Sequence, residues 1–397
     1  MTVANHVLFA GGGSAGYLYS GLAVAAQLRQ RLPEVEITFA GSGRPRERHA
    51  IRTAGYHYSM IPARPMPRNP FQSLRFVTDN VVGYCAARWM LNEQQISLVV
   101  GLGGYTSMAV ARAAMARGLP TILLEQNAIP SRVTRWLSRR AAMICAGFEE
   151  VCPHLHVQAP VSITGNPARH AFEQLYHRNQ QHGGRGEDLS NGPAGRGSVV
   201  SSEQQPRRIV VLGGAAGART LNESMPAALK QLGDRLAGWQ IVHQTGEGQL
   251  QATEQRYRQN GLNVLSVTYI DQIASVLFAS DLVVCRAGGS MLAELALAGI
   301  PAVLVPYPHA ADDHQTANAK VVAAAGGCRL VDETSQTGAL DKALAHALTP
   351  LVSEDSTRLE MGRNMLRLAR PEASSEIAAT IASHLGGSAG LQAAWAA

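Results

Sequence analysis

Three glycine clusters, each following a short apolar run, mark where this 397-residue sequence can do chemistry. The first is Gly11-Gly-Gly-Ser-Ala-Gly16, between His6-Val-Leu-Phe-Ala10 and Tyr17-Leu-Tyr-Ser-Gly-Leu-Ala-Val-Ala. A strand ends, glycines turn the chain and a helix begins. Unpaired N–H groups at a helix start favour an anion, and a plain tight turn is the competing reading. The dinucleotide-binding pattern does not apply, because no acidic residue stands at a strand end about 20 positions on. The second cluster, Gly213-Gly-Ala-Ala-Gly-Ala-Arg219, follows Arg208-Ile-Val-Val-Leu212 and makes the same kind of anion nest. If each loop belongs to its own domain, the two are expected to face one another across a cleft.

The third cluster is the most informative: Cys285-Arg-Ala-Gly-Gly-Ser-Met-Leu-Ala-Glu294, then Leu-Ala-Leu-Ala-Gly-Ile-Pro-Ala-Val-Leu-Val-Pro306. A strand ends at Cys285 and a helix is expected to start near Ser290. Its first N–H groups suit a diphosphate. Glu294 lies a turn into that helix, where a carboxylate accepts two hydroxyls, as a ribose diol requires. A helix-capping acid is the alternative, and the following Gly299-Ile-Pro301 strand entry favours the ribose. Next comes His309-Ala-Ala-Asp-Asp-His-Gln315-Thr-Ala-Asn318, a polar cluster beyond the carboxyl end of a strand, where open α/β sheets bind ligands. Gln315 offers both a donor and an acceptor to sugar hydroxyls. His309 and His314 with Asp312 and Asp313 lack a third-ligand pattern, so neither a metal nor a cofactor is expected.

These loops need rigid strands behind them, and the pattern supplies two sets. The first is 6–10, 35–40, 97–101, 121–124 and 143–146; the second is 208–212, 240–243, 264–267, 282–285 and 302–305. Near-continuous Val/Ile/Leu runs separated by helical patterns indicate parallel sheets buried on both faces. Two successive doubly wound α/β domains follow, with a boundary near Gly165-Asn-Pro167. Residues 179–206 are dominated by Gly, Ser, Gln, Arg and Asn. They read as an inserted surface loop that cannot offset its own ordering entropy.

Composition narrows the class. Apolar residues are 46%, charged residues 16% and aromatics 5%, with 39 glycines, which excludes a disordered chain, a coiled coil and a disulfide scaffold. The net charge of +6 is uneven. Residues 1–170 hold 17 Arg/Lys against 8 Asp/Glu, a net of +9; the remainder hold 18 against 21, a net of −3. The basic residues of the front half are all Arg, suited to forked contact with phosphate, so nucleic acid, anionic lipid or a phosphorylated substrate fit by charge alone. Cys85, Cys145, Cys152, Cys285 and Cys328 form no CxxC pair, against zinc or thioredoxin-like chemistry, and are expected as reduced thiols, with Cys145 and Cys285 in the core. Residues 1–28 contain no Asp, Glu, Lys or Arg, but they have no basic leading segment. Their apolar run is broken by Gly11, Gly12 and Gly13, so no signal peptide is read there. No run of about 18 apolar residues exists, so any membrane contact is expected to be peripheral.

Taken together, Gly101-Leu-Gly-Gly-Tyr105, Glu125-Gln-Asn127, Gly165-Asn-Pro-Ala-Arg169, Gly213-Gly214 with Gly217-Ala-Arg219, His243-Gln244, Tyr269-Ile-Asp271 and the 285–318 region occur in an order that resembles one family. These are the peptidoglycan N-acetylglucosaminyltransferases of the MurG type, in glycosyltransferase family 28. The resemblance runs from residue 6 to about 385. It implies the GT-B fold: two Rossmann-like α/β domains with an interdomain cleft. Residues 1–166, with a returning C-terminal helix at about 372–390, would form an acceptor and membrane-side domain, and 167–371 a domain for UDP-N-acetylglucosamine.

The same resemblance implies an inverting transfer of N-acetylglucosamine to the muramyl 4-hydroxyl of lipid I, giving lipid II. By position, Ile270 would meet uracil, Glu294 the ribose, and Arg169, Gly213, Gly214 and Ala215 the donor near its phosphates. Gly289, Ser290, Met291, Leu292 and Ala293 would frame the diphosphate, Gln315 and Asn127 the sugar. Ser14, Ala15 and Gly16 would close over phosphates of donor or acceptor, and Tyr105 would lie on the substrate side. The implied partners are UDP-N-acetylglucosamine, lipid I and an anionic membrane surface, with no nucleic acid, and the implied location is peripheral on the cytoplasmic face of the plasma membrane. Arg64-Pro-Met-Pro-Arg68 with Phe71, Leu74, Arg75 and Phe76 is the candidate lipid contact, a solvated loop the alternative.

The chain departs from the family pattern at its first loop. Tyr17 stands where the family carries a histidine suggested as general base, and Ser20 replaces a proline. Ala215 and Ala216 replace a serine and a glutamine. Tyrosine, with an ordinary pKa near ~10, is a poor base at neutral pH, so Glu125 becomes a second candidate for the proton. A donor-binding scaffold without turnover, or a related enzyme with a different acceptor, are the alternative functions these losses leave open.

Overall fold

The computed structural model describes residues 5–12, 15–64, 73–155, 159–181, 206–214, 217–334 and 340–395. Most of the insertion at 179–206, and with it Ser14, Met66, Phe71 and Ala215, lies outside the described residues. The chain divides into two units, Met1–Arg169 with Arg370–Ala397, and His170–Ala369.

Unit 1 carries seven parallel strands: β1 His6–Gly11, β2 Glu36–Gly41, β3 His57–Met60, β4 Leu98–Gly103, β5 Thr121–Glu125, β6 Met143–Ala146 and β7 Val161–Ile163. Their order across the sheet is β3-β2-β1-β4-β5-β6-β7. The helices are α1 Ala15–Arg31, α2 Pro45–Thr53, α3 Ser73–Glu93, α4 Gly104–Met115 and α5 Arg132–Leu137, with α14 Ala373–Trp395 returning from the chain's end. Val7, Phe9, Val24, Leu28, Val100 and Ile122 form one core face, sealed by Ile377, Ala378, Ile381 and Leu385 of α14. Leu8, Ala10, Val99, Val110, Ala113 and Leu91 pack on the other, under α3 and α4. Side chains alternate across a strand, so a strand covered on both sides must be apolar throughout, which is why β1 and β4 read as unbroken runs.

Unit 2 carries six parallel strands: β8 Arg207–Leu212, β9 Trp239–Gln244, β10 Leu265–Val267, β11 Leu282–Cys285, β12 Ala302–Leu304 and β13 Cys328–Leu330. The order is β10-β9-β8-β11-β12-β13. Its helices are α6 His170–Gln181, α7 Arg219–Leu232, α8 Leu250–Gln259, α9 Ile273–Phe278, α10 Gly289–Ala298, α11 His314–Ala324, α12 Leu340–Ser353 and α13 Asp355–Arg367. The core joins Ile209, Val211, Leu282, Val284 and Val303 to Leu221, Met225, Leu229, Leu344 and Leu348.

Ten strands lie where the apolar runs place them. Three others, β3, β7 and β13, were not legible. They are four, three and three residues long and stand at sheet edges or next to them, where only partial cover removes the need for a continuous apolar run. Residues 179–181, expected in the inserted loop, are the last turn of α6. Cys145 and Cys285 are buried core residues, and burial pushes both thiols up to about 12, well out of the reactive range.

Candidate active site

In both sheets the strand order reverses once, between β1 and β4 in unit 1 and between β8 and β11 in unit 2. Helices leave in opposite directions at such a point and open a crevice at the carboxyl ends of the strands. The glycine clusters lie there.

In unit 1, Gly11 pairs with Gly103 after a break in register at Ala10. A Cβ on Gly104, whose φ is +77°, would stand 2.4 Å from the Gly12 carbonyl oxygen. A Cβ on Gly12 would stand 2.4 Å from Glu47 Oε1. Only glycines let these two loops approach so closely. Gly103, with φ +104°, is the seat of Tyr17: a Cβ there would meet the ring at 2.8 Å. Gly16 is the second residue of α1, next to Tyr17, and Tyr105 is the second residue of α4.

The neighbouring loop after β5 is built around Glu125. Its Oε1 accepts from the Asn127 backbone N–H and from Asn127 Nδ2, both at 3.1 Å, and its Oε2 from the Ser131 N–H at 3.0 Å. Thr134 adds a hydroxyl, and Ser131 Oγ caps α5 by accepting from the Thr134 N–H at 3.1 Å. Burial raises the Glu125 pKa, and these four donors act against that rise. Tyr17 is raised chiefly by burial and then by the Glu125 charge, while a hydrogen bond with Asn127 acts against that rise. Glu125 and Asn127 are 3% and 6% exposed, so this network is interior. Asn166 Nδ2 braces it by donating to the Gln126 carbonyl at 2.9 Å. Ser20 Oγ donates to the Pro167 carbonyl, and the Arg169 guanidinium lies 5.2 Å from the centre of the Tyr19 ring. Structure thus brings Gly16, Tyr17, Glu125 and Asn127 to one end of the unit 1 sheet.

In unit 2, Leu212 pairs with Cys285, so the turns after β8 and β11 are neighbours. A Cβ on Gly213 would meet the Ala218 nitrogen at 2.7 Å, and Gly214 has φ +77° and is exposed. Gln244 Nε2 donates to the Gly214 carbonyl at 2.9 Å. The helix α10 starts at Gly289, so Glu294 lies in its second turn, 3% exposed; no acidic residue occupies the first turn. The reading of Glu294 as a first-turn cap is therefore wrong. Met291 and Ala293 are half-buried and Leu292 is buried. Ile270 sits half-buried in the loop after β10. Gln315 Oε1 accepts from the Tyr307 N–H at 2.9 Å, which ties the loop after β12 to α11. Among the described residues no group of three His, Cys, Asp or Glu side chains can hold a metal.

Several contributors escaped the sequence reading. Arg286 Nη1 donates to the carbonyls of Val305 and Pro306 at 3.0 Å each and pairs with Glu333, while Nη2 donates to Thr220 Oγ1 at 2.8 Å. One guanidinium thus ties the turns after β11, β12 and β13 to the start of α7. Its signal was present, a lone Arg between an apolar strand and two glycines. Glu47, buried on α2, accepts from the Ser42 N–H and hydroxyl at 2.9 Å each and shapes the loop beside Gly12. Helix α3 leaves Val77, Val81, Val82 and Trp89 more than half exposed, with Cys85, as an apolar stripe at helical spacing. Arg64 pairs with Asp79 on the same helix. Arg112, Met115, Trp136, Leu137, Arg139 and Arg140 of α4, α5 and the turn after α5 line a surface pocket of about 210 Å³.

Comparison with known proteins agrees with this architecture. Residues 7–146 match the Glycosyltransferase family 28 N-terminal domain, and 208–377 the Glycosyltransferase family 28 C-terminal domain. A UDP-N-acetylglucosamine--N-acetylmuramyl-(pentapeptide) pyrophosphoryl-undecaprenol N-acetylglucosamine transferase of Chlorobium luteolum is 34% identical over 384 residues, covering 95% of this chain and 98% of that protein. The enzyme of the same name from Trichlorobacter lovleyi is 32% identical over 373 residues, covering 94% and 96%. The crystal structure of Acinetobacter baumannii MurG superposes with a TM-score of 0.71 at 25% identity, covering 96% of this chain and 99% of that one. A Staphylococcus aureus MnaA–UDP structure, at 12% identity and a TM-score of 0.66 over 96% and 97%, shares the fold alone. The two parallel-sheet units are those of the GT-B fold, and the chain belongs to glycosyltransferase family 28.

Proposed function

We propose that this protein transfers N-acetylglucosamine from UDP-N-acetylglucosamine to the muramyl 4-hydroxyl of lipid I, forming lipid II. The observation that carries this reading is full-length similarity to transferases of that name, together with ligand-suited loops at both switch points. The hydroxyl oxygen attacks the anomeric carbon from the face opposite the diphosphate. The bond from that carbon to the diphosphate oxygen breaks, its electron pair leaves with UDP, and the hydroxyl proton passes to solvent. The configuration inverts.

The donor lies on unit 2. The α10 start, Gly289 to Ala293, and the Gly213–Gly214 turn stabilise the charge that builds on the diphosphate, because their N–H dipoles are set before reaction. Glu294 takes the ribose hydroxyls, Ile270 the uracil and Gln315 the sugar. In unit 1, Asn127, Arg169, Tyr105, Ala15 and Gly16 serve the substrates. The helix dipoles stabilise the departing diphosphate, and the anomeric carbon is the electrophile.

The acceptor is a membrane lipid, and the protein meets it from the membrane surface. The uncovered apolar stripe of α3 and the arginine-lined pocket with Trp136 support that contact, which combines apolar insertion with attraction to anionic headgroups. Among the described residues no helix is long and apolar enough to cross a membrane. Incubation of the purified protein with labelled UDP-N-acetylglucosamine and a short-chain lipid I analogue tests the reading. Labelled disaccharide-lipid is the expected product. Donor binding without product would favour a scaffold, and turnover only with other acceptors would favour a different transferase.

A further inference from the structure

The amide of Asn127 carries two hydrogens on Nδ2 and is held by two side chains. Glu125 Oε1 accepts one from Nδ2 at 3.1 Å. Tyr17 is hydrogen-bonded to the same side chain. The phenol ring reaches this place by lying against the backbone of Gly103, where any Cβ would stand 2.8 Å from the ring. Glu125 is itself immobilised by the Asn127 and Ser131 N–H groups and the Thr134 hydroxyl. We infer that Tyr17 is a positioning residue, which together with Glu125 fixes the Asn127 amide and thereby sets which way it faces during transfer. The inference rests on the proposed transfer reaction and assigns Tyr17 and Glu125 a role within it other than proton acceptance.

Three observations agree. The ring is buried against Gly103 rather than presented on a flexible arm. A phenolate at this spot would be desolvated and would face a buried carboxylate, two effects that both keep the proton on oxygen. Glu125 spends its two oxygens on four donors, which leaves it a fixed anchor rather than a mobile base. Tyr17 therefore neither gains nor loses a proton in the cycle.

Tyr17→Phe keeps the ring on Gly103 and removes only the hydroxyl. In the full-length protein, with UDP-N-acetylglucosamine and a short-chain lipid I analogue, kcat is expected to fall by about tenfold, the value of one hydrogen bond. The pH dependence of kcat should keep its shape. In an Asn127→Ala background the same substitution should cost nothing further, because its effect runs through Asn127. A loss of about a thousandfold, disappearance of a limb of the pH profile, or full additivity with Asn127→Ala overturns the inference. Difference absorbance of the phenol, wild type minus Tyr17→Phe, provides a readout independent of turnover. No ionisation is expected below pH ~10, the ordinary tyrosine value, and a phenolate forming below pH ~9 overturns the inference even if the wild type transfers no sugar. A wild type that makes no lipid product, with the phenol behaving as expected, sinks the proposed reaction and not the placement of Tyr17.

Discussion

The Ser20 hydroxyl donates to the carbonyl of Pro167 across 3.0 Å, joining residues 147 positions apart in the chain. Ser20 is 1% exposed, inside the second turn of α1, and Pro167 belongs to the Gly165-Asn166-Pro167 segment that also braces Gln126. This serine thus fastens the helix carrying Tyr17 to the segment behind Asn127. Ser20→Ala leaves a buried carbonyl without this donor, and the expected loss is about 1–3 kcal/mol. Urea unfolding checks it, and an unchanged midpoint removes the tie from the account.

Glu294 lies in the second turn of α10, behind the N–H groups proposed for the diphosphate. A carboxylate accepting two ribose hydroxyls contributes charged hydrogen bonds of roughly 1.5–3 kcal/mol each. Glu294→Ala is expected to weaken UDP binding by about a hundredfold or more, with thermal unfolding still cooperative. Calorimetric titration with UDP measures it, and wild-type affinity would refute the ribose assignment.

His243 is fully buried on β9, and its tautomer follows from its neighbours. Asn222 Nδ2 donates to the Thr245 carbonyl at 2.9 Å, so Asn222 Oδ1 accepts from His243 Nε2 at 3.0 Å, and Nδ1 accepts from the Tyr257 hydroxyl at 2.7 Å. Burial lowers the His243 pKa from 6.5 to about 3. The unfolded chain therefore binds a proton that the folded chain refuses. Stability is complete above the unfolded value and falls as pH drops from 6.5 toward 3, by about 1.4 kcal/mol per pH unit for this group. Urea midpoints from neutral pH downward should show a shallower decline in His243→Gln than in wild type. Parallel declines would show that other groups carry the acid sensitivity.

The α3 stripe predicts a salt-resistant share of membrane binding. Val81→Asp places a charge among Val77, Val82 and Trp89 without touching a buried contact, since Val81 is 56% exposed. Flotation with vesicles containing anionic lipid should fall several-fold, and high salt should weaken wild-type binding without abolishing it. Equal flotation of variant and wild type would show that α3 does not meet lipid.

The candidate site residues were legible because each obeys a local rule. Glycines at strand ends announce turns that no other residue makes, and Glu125-Gln-Asn127 and Cys285 to Glu294 stand at the close of apolar runs. What local rules do not contain is register. That Gly11 meets Gly103 and Leu212 meets Cys285 depends on which strands become neighbours, a choice made by packing helices on both sides of each sheet.

By itself the sequence determined two parallel α/β halves, their turns and a family resemblance, because continuous Val/Ile/Leu strands have no other stable use than burial between helices. Tertiary structure alone decided that Tyr17 lies on Gly103 and meets Asn127, that Ser20 reaches Pro167 and that Arg286 gathers three strand ends. Each of these joins groups far apart along the chain. Their distances are set by the whole sheet and its cover, and no window of neighbouring residues encodes them.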